Sequence, residues 1–128
     1  MEYLCLIYHA ANTLEALPES AYDALIDDSV AYDEELLRRG QYIGSSAIQL
    51  KQIATTIRVR DGRVSINDGR FVVAGEQLGG FYVIEVRELN DAIRVVAMLP
   101  AARLGCVEVR PFGAFKAEWT CRQEAIER

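Results

Sequence analysis

The run Tyr3-Leu4-Cys5-Leu6-Ile7-Tyr8 is apolar at every position. Side chains alternate across a strand, so Tyr3/Cys5/Ile7 and Leu4/Leu6/Tyr8 form two faces that both have to leave water, which is the pattern of a central strand covered from two sides. Helices of the same chain can cover one face. The chain has 128 residues, one domain by size, and for so short a chain the economical cover for the other face is a symmetric copy. A homodimer is expected.

The remaining elements follow from local signals. Pro18 fits the first turn of a helix that runs to Arg38-Arg39, with Gly40 as a left-handed cap. Tyr22, Leu25, Ile26, Ser29, Tyr32, Asp33 and Leu36 recur at steps of three and four and share one inward stripe, which Ser29 and Asp33 interrupt. A second strand falls within Tyr42 to Ile48. Arg60-Asp61-Gly62-Arg63 predicts a type I′ hairpin, because Asp-Gly tolerates positive φ. That turn sets Val59 opposite Val64 and Ile57 opposite Ile66 on one greasy face, with Arg58/Ser65 and Thr56/Asn67 on the wet one. Phe81 to Val86 reads as a strand, Asn90 as the N-cap of a helix ending before Pro100, and Cys106 to Arg110 as a last strand stopped by Pro111. With the hairpin as an insertion, the order is βαβ followed by βαβ. This predicts an α+β, ferredoxin-like (split βαβ) protomer over residues 1–112, an antiparallel sheet with helices on one face. Residues 113–128, with Phe115, Trp119 and Ile126 among charges, form a short helix or tail.

Several function classes are disfavoured. A net charge of −5 opposes the basic footprint that a DNA or RNA binder needs. No stretch approaches the roughly 20 apolar residues of a membrane-spanning helix, and Glu2 stands where a secretory leader would carry basic residues, so a cytoplasmic location is expected. Cys5, Cys106 and Cys121 lack any paired spacing, arguing against disulfides and thiolate metal sites. Gly79-Gly80 precedes a strand instead of a helix, the wrong context for a dinucleotide fingerprint. No metal and no cofactor are expected.

Asp68 ends a hairpin strand beside Gly69, where a carboxylate can face a pocket as a catalytic proton-transfer or ligand-binding group, with an Asx role in the turn as the rival reading. His9, the only histidine, sits just past the first strand as a candidate general base, against a solvated loop residue. Ser29, Tyr32 and Asp33 either satisfy one another or line a cavity between helix and sheet. Gly69, Arg70, Phe71 and Gln77, from the charged and aromatic segment around Asn67–Phe71 and Glu76–Tyr82, complete the candidate ligand contacts.

That segment, with Tyr3–Tyr8, Ala31–Leu36, Ala54–Arg60 and Leu104–Pro111, resembles the DGPF branch of the YCII-related family over residues 3 to about 111. The resemblance implies a ferredoxin-like protomer that pairs sheet to sheet as a dimeric α+β barrel. It makes a small-molecule-binding accessory or regulatory module plausible, linked to bacterial stress or sigma-factor regulation, with a small polar or anionic ligand. The alternatives are a cofactor-independent acid/base enzyme, of lyase or dehalogenase type, and a structural dimerisation protein. Arg70 stands where the name-giving motif has proline, restoring a backbone N–H and a mobile cation. Typical YCII members carry a first-helix histidine in a proposed His–Asp pair, and Ser29 takes that position here.

Overall fold

The computed structural model describes residues 1–10, 12–48, 54–68 and 75–127. The order is β1 (Glu2–His9), α1 (Glu19–Arg38), β2 (Tyr42–Ala47), β3 (Thr55–Arg60), β4 (Arg63–Asp68), β5 (Gln77–Glu85), α2 (Leu89–Ala97), a 3₁₀ turn (Pro100–Leu104), β6 (Gly105–Pro111) and α3 (Ala114–Glu127). Four strands form an antiparallel sheet ordered β2-β5-β1-β6, while β3 and β4 make a separate two-stranded sheet. The fold is α+β and ferredoxin-like, with the hairpin inserted between its two halves.

β1 lies between β5 and β6. Cys5 pairs with Tyr82 on one side and Val109 on the other, and Ile7 with Gly80 and Val107. On the helix face, Tyr3, Cys5 and Ile7 join Tyr82, Ile84, Leu36, Ala92, Val95 and Leu99 in the buried core. Leu36 and Ile84 are wholly inaccessible, so truncating either to alanine costs about 2–5 kcal/mol. The other face is different. Leu4, Leu6, Tyr8, Phe81 and Val83 are only half-buried, with Leu4 opposite Val83 and Leu6 opposite Phe81.

The first helix starts one residue later than expected, since Pro18 is its N-cap, with extended backbone. Its end is as read: Gly40 has φ +70°, Gly40 N donates to Leu37 O (3.1 Å) and Gln41 N to Leu36 O (2.9 Å). Those two bonds are a Schellman motif. The expected inward stripe is fully buried only at Leu36, with Leu25, Ser29, Tyr32 and Asp33 half-buried and Tyr22 and Ile26 exposed. α2 begins before Asn90, with Glu88 at the N-cap. The Glu88 carbonyl accepts from Asp91 N and Ala92 N (3.1 and 3.2 Å), and Arg87 bonds Asp91 across the first turn (3.1 Å).

β5 starts at Gln77, so Gly79 and Gly80 lie inside the strand instead of before it. The register slips between Ile7 and Tyr8, leaving Gly79 as the extra residue of a bulge. The hairpin register is the one Asp61-Gly62 predicts, with both residues at positive φ. Its greasy face is open: Ile57, Val59, Val64 and Ile66 are each more than half exposed. The C-terminal segment takes the helical alternative, as α3, with Trp119 exposed.

Candidate functional site

Strand alternation turns Tyr82 toward the helices, beside Cys5 and Ser45 in register. A buried tyrosine hydroxyl needs a partner, and Tyr82 finds it on α1, donating to Asp33 Oδ1 at 2.5 Å. Next to it the Tyr42 hydroxyl and Ser45 Oγ are 2.7 Å apart, and the Tyr42 and Tyr82 rings meet edge to face at 6.2 Å. Burial, above all, pushes the Tyr82 pKa far up; the hydrogen bond to Asp33 and its charge add to this, and the Ser45 hydroxyl opposes it. The phenol therefore stays neutral and acts as a donor.

Ser29 lies one turn before Asp33 on the same stripe and is half-buried. Tyr32 diverges. Successive helix residues point in different directions, and the Tyr32 hydroxyl donates instead to Val95 O of α2 at 2.7 Å. Burial raises its pKa, with Arg39 opposing and Glu35 adding.

His9 is not a solvated loop residue. It is the last residue of β1 and only 3% exposed. Its Nδ1 is 3.1 Å from Ala10 O, and its Nε2 lies over Gly79, where an added Cβ would come within 2.2 Å. His9 pairs in register with Gln77, which is half-buried. It stands four residues along β1 from Cys5, the neighbour of Tyr82, a separation on the order of 13 Å at ~3.3 Å per residue. Asp68 sits at the exposed end of the hairpin, paired with Thr55. Gly69, Arg70 and Phe71 lie outside the described residues. The structure thus pairs Asp33 with Tyr82, keeps Ser29 one turn before it on the same stripe, sends Tyr32 to α2, and places His9 apart from all three. Among the described residues, no group of three or more His, Cys, Asp or Glu is placed to hold a metal ion, and no helix is long and apolar enough to cross a membrane.

The YCII-related domain model matches residues 1–116. The chain belongs to the YCII-related family. It is also 27% identical over 118 residues to an uncharacterised protein of Rhizobium meliloti (strain 1021), covering 91% of this chain and 95% of that one. In this YCII-related chain the polar cluster opposite α1 is built largely from residues that the sequence marks only as strand positions: Tyr82, Tyr42 and Ser45. Period-two alternation with the small Gly80 and apolar Ile84 was the available signal, since it puts the Tyr82 hydroxyl under a helix whose stripe carries a carboxylate.

Proposed function

We propose that this YCII-related protein is a homodimeric small-molecule-binding module, whose polar ligand is held between α1 and the sheet by the Asp33, Tyr82, Tyr42 and Ser45 cluster. The observation that carries the reading is the Tyr82–Asp33 hydrogen bond, flanked by the Tyr42–Ser45 pair. A general acid or base at neutral pH needs a pKa near 7, whereas Tyr82 is driven away from neutrality. The lone histidine is packed against Gly79, apart from that cluster. A fixed array of donors and acceptors suits recognition better than proton transfer. The regulatory and stress-linked setting is supported by the family resemblance alone.

Dimerisation is supported by two apolar surfaces on one chain. The back of the sheet offers Leu4, Leu6, Phe81 and Val83, and the hairpin offers Ile57, Val59, Val64 and Ile66. An isolated two-stranded hairpin is marginal in water, and a second copy carries both complementary surfaces at once in an isologous contact.

The binding reading is tested by equilibrium dialysis against a bacterial metabolite extract, with mass spectrometry of what is retained. Wild type is expected to enrich at least one small polar compound that Asp33→Ala and the milder Ser45→Ala lose while their circular dichroism is unchanged. Equal retention by all three, or none by wild type, would retire it.

A further inference from the structure

We infer that the cleft between the last turn of α1 and α2 is a second ligand site, for a small carboxylate that carries an adjacent N–H on an apolar body, the chemistry of an N-acylated amino acid. The cleft is lined by Tyr32 and by neither Asp33 nor Tyr82, and the inference stands apart from that cluster.

The cleft is a cavity of about 280 Å³ lined by Tyr32, Arg39, Gln41, Arg94, Val95 and Met98, together with Asp91. It continues past Arg39 and Gln41 into a groove of about 400 Å³ along Gly40 and Val86. Small ligand sites begin near 300 Å³, so the pair has room for a head group and a short acyl chain.

Three features select the ligand. The first is Gln41. The Schellman motif fixes its backbone, Gln41 N bonding Leu36 O at 2.9 Å and Gln41 O accepting from Glu85 N at 2.9 Å. Its side-chain Oε1 is buried and has no hydrogen-bond partner among the described residues. An unmet buried acceptor is costly, and a ligand N–H answers it.

The second is an excess of positive charge. Arg38 and Arg39 share Glu35 (2.6 and 3.0 Å), while Arg87 and Arg94 share Asp91 (3.1 and 3.2 Å). Three of these guanidiniums, Arg39, Arg87 and Arg94, line the cleft and its groove around the Asp91 carboxylate, in a chain whose net charge is −5. Each guanidinium has five N–H donors, so Arg39 and Arg94 keep donors for a carboxylate after holding their acidic partners. The ammonium of Met1 is already paired with Glu85 at 2.7 Å, so the adjoining groove adds no competing net charge.

The third is the apolar wall of Val95, Met98 and the Tyr32 ring, whose hydroxyl is occupied by Val95 O. A thioether beside an aliphatic side chain suits an apolar body of variable shape.

The test uses the full chain and N-acetyl-L-leucine as probe, with 4-methylpentanoate (no N–H) and N-acetyl-L-leucinamide (no carboxylate) as controls, by calorimetry or amide-shift titration. N-acetyl-L-leucine is expected to bind saturably and both controls at least ~10-fold more weakly. Gln41→Leu is expected to weaken binding by a similar factor while its Tm stays level or rises, because a buried unpaired acceptor is removed. Arg94→Met, on an exposed side chain, is expected to weaken binding without touching the fold. No saturation at millimolar probe, equal binding of the controls, unchanged binding in both variants, or a lowered Tm in Gln41→Leu would overturn the assignment.

Discussion

Tyr82 on β5 and Asp33 on α1 share a 2.5 Å hydrogen bond that joins the sheet to the helix layer across 49 residues of sequence. Hydrogen bonds to charged groups contribute about 1.5–3 kcal/mol. Tyr82→Phe is therefore expected to lower unfolding free energy in urea by about 2 kcal/mol. Asp33→Asn, which keeps an acceptor oxygen, is expected to cost less than Asp33→Ala. Equal losses for the two would show that the bond contributes nothing beyond packing.

Gly79 is required by His9. A Cβ at this position would sit 2.2 Å from Nε2 and 2.8 Å from Cδ2, closer than atoms pack. Gly79→Ala is expected to destabilise by about 1–3 kcal/mol through overpacking, and His9→Ala in the same chain to recover much of that loss. Additive effects in thermal unfolding would mean that the two do not touch.

Stability should fall on the alkaline side. Burial pushes the Cys5 thiol up from 9.0 to about 11, and Tyr82 is raised above its ordinary 10.0 by burial and Asp33. Each binds its proton more tightly folded than unfolded, so this stability is fully present below pH 9 and is lost as pH rises. The first loss falls between 9 and 11 for Cys5, and Tyr82 adds to it from about 10 upward. Urea midpoints are expected to show this decline above pH 9. Cys5→Ala should be less stable at neutral pH yet lose less between 9 and 11.

Local chemistry carried the legible part of the fold. Asp61-Gly62 dictates positive φ and therefore the whole β3–β4 register, and Gly40 ends α1 because it takes the left-handed conformation. Helix starts were less legible. Pro18 and Asn90 are good terminal residues, but the backbone carbonyl of Glu88 and the Arg87–Asp91 pair decide where α2 begins. The sites depend on contacts that pattern does not encode. His9 is buried because a bulge puts Gly79 beneath its ring. Tyr32 and Asp33 are neighbours in sequence that serve different layers. Gln41 matters only once a Schellman turn and α2 close around its amide.

The hairpin variants Ile57→Lys and Ile66→Lys place charge on the exposed greasy face without altering the Asp61-Gly62 turn. Each is expected to weaken self-association by at least ~10-fold, with secondary structure retained. Thr56→Lys and Asn67→Lys, on the other face, are expected to leave it unchanged. Similar behaviour of the two sets would remove the hairpin from the contact.

Sedimentation equilibrium of the wild-type chain at micromolar concentration tests most directly whether a second copy closes the back of the sheet over Leu4, Leu6, Phe81 and Val83. A species of twice the 14.3 kDa chain mass is predicted. A single well-behaved species at 14.3 kDa across that range would contradict it.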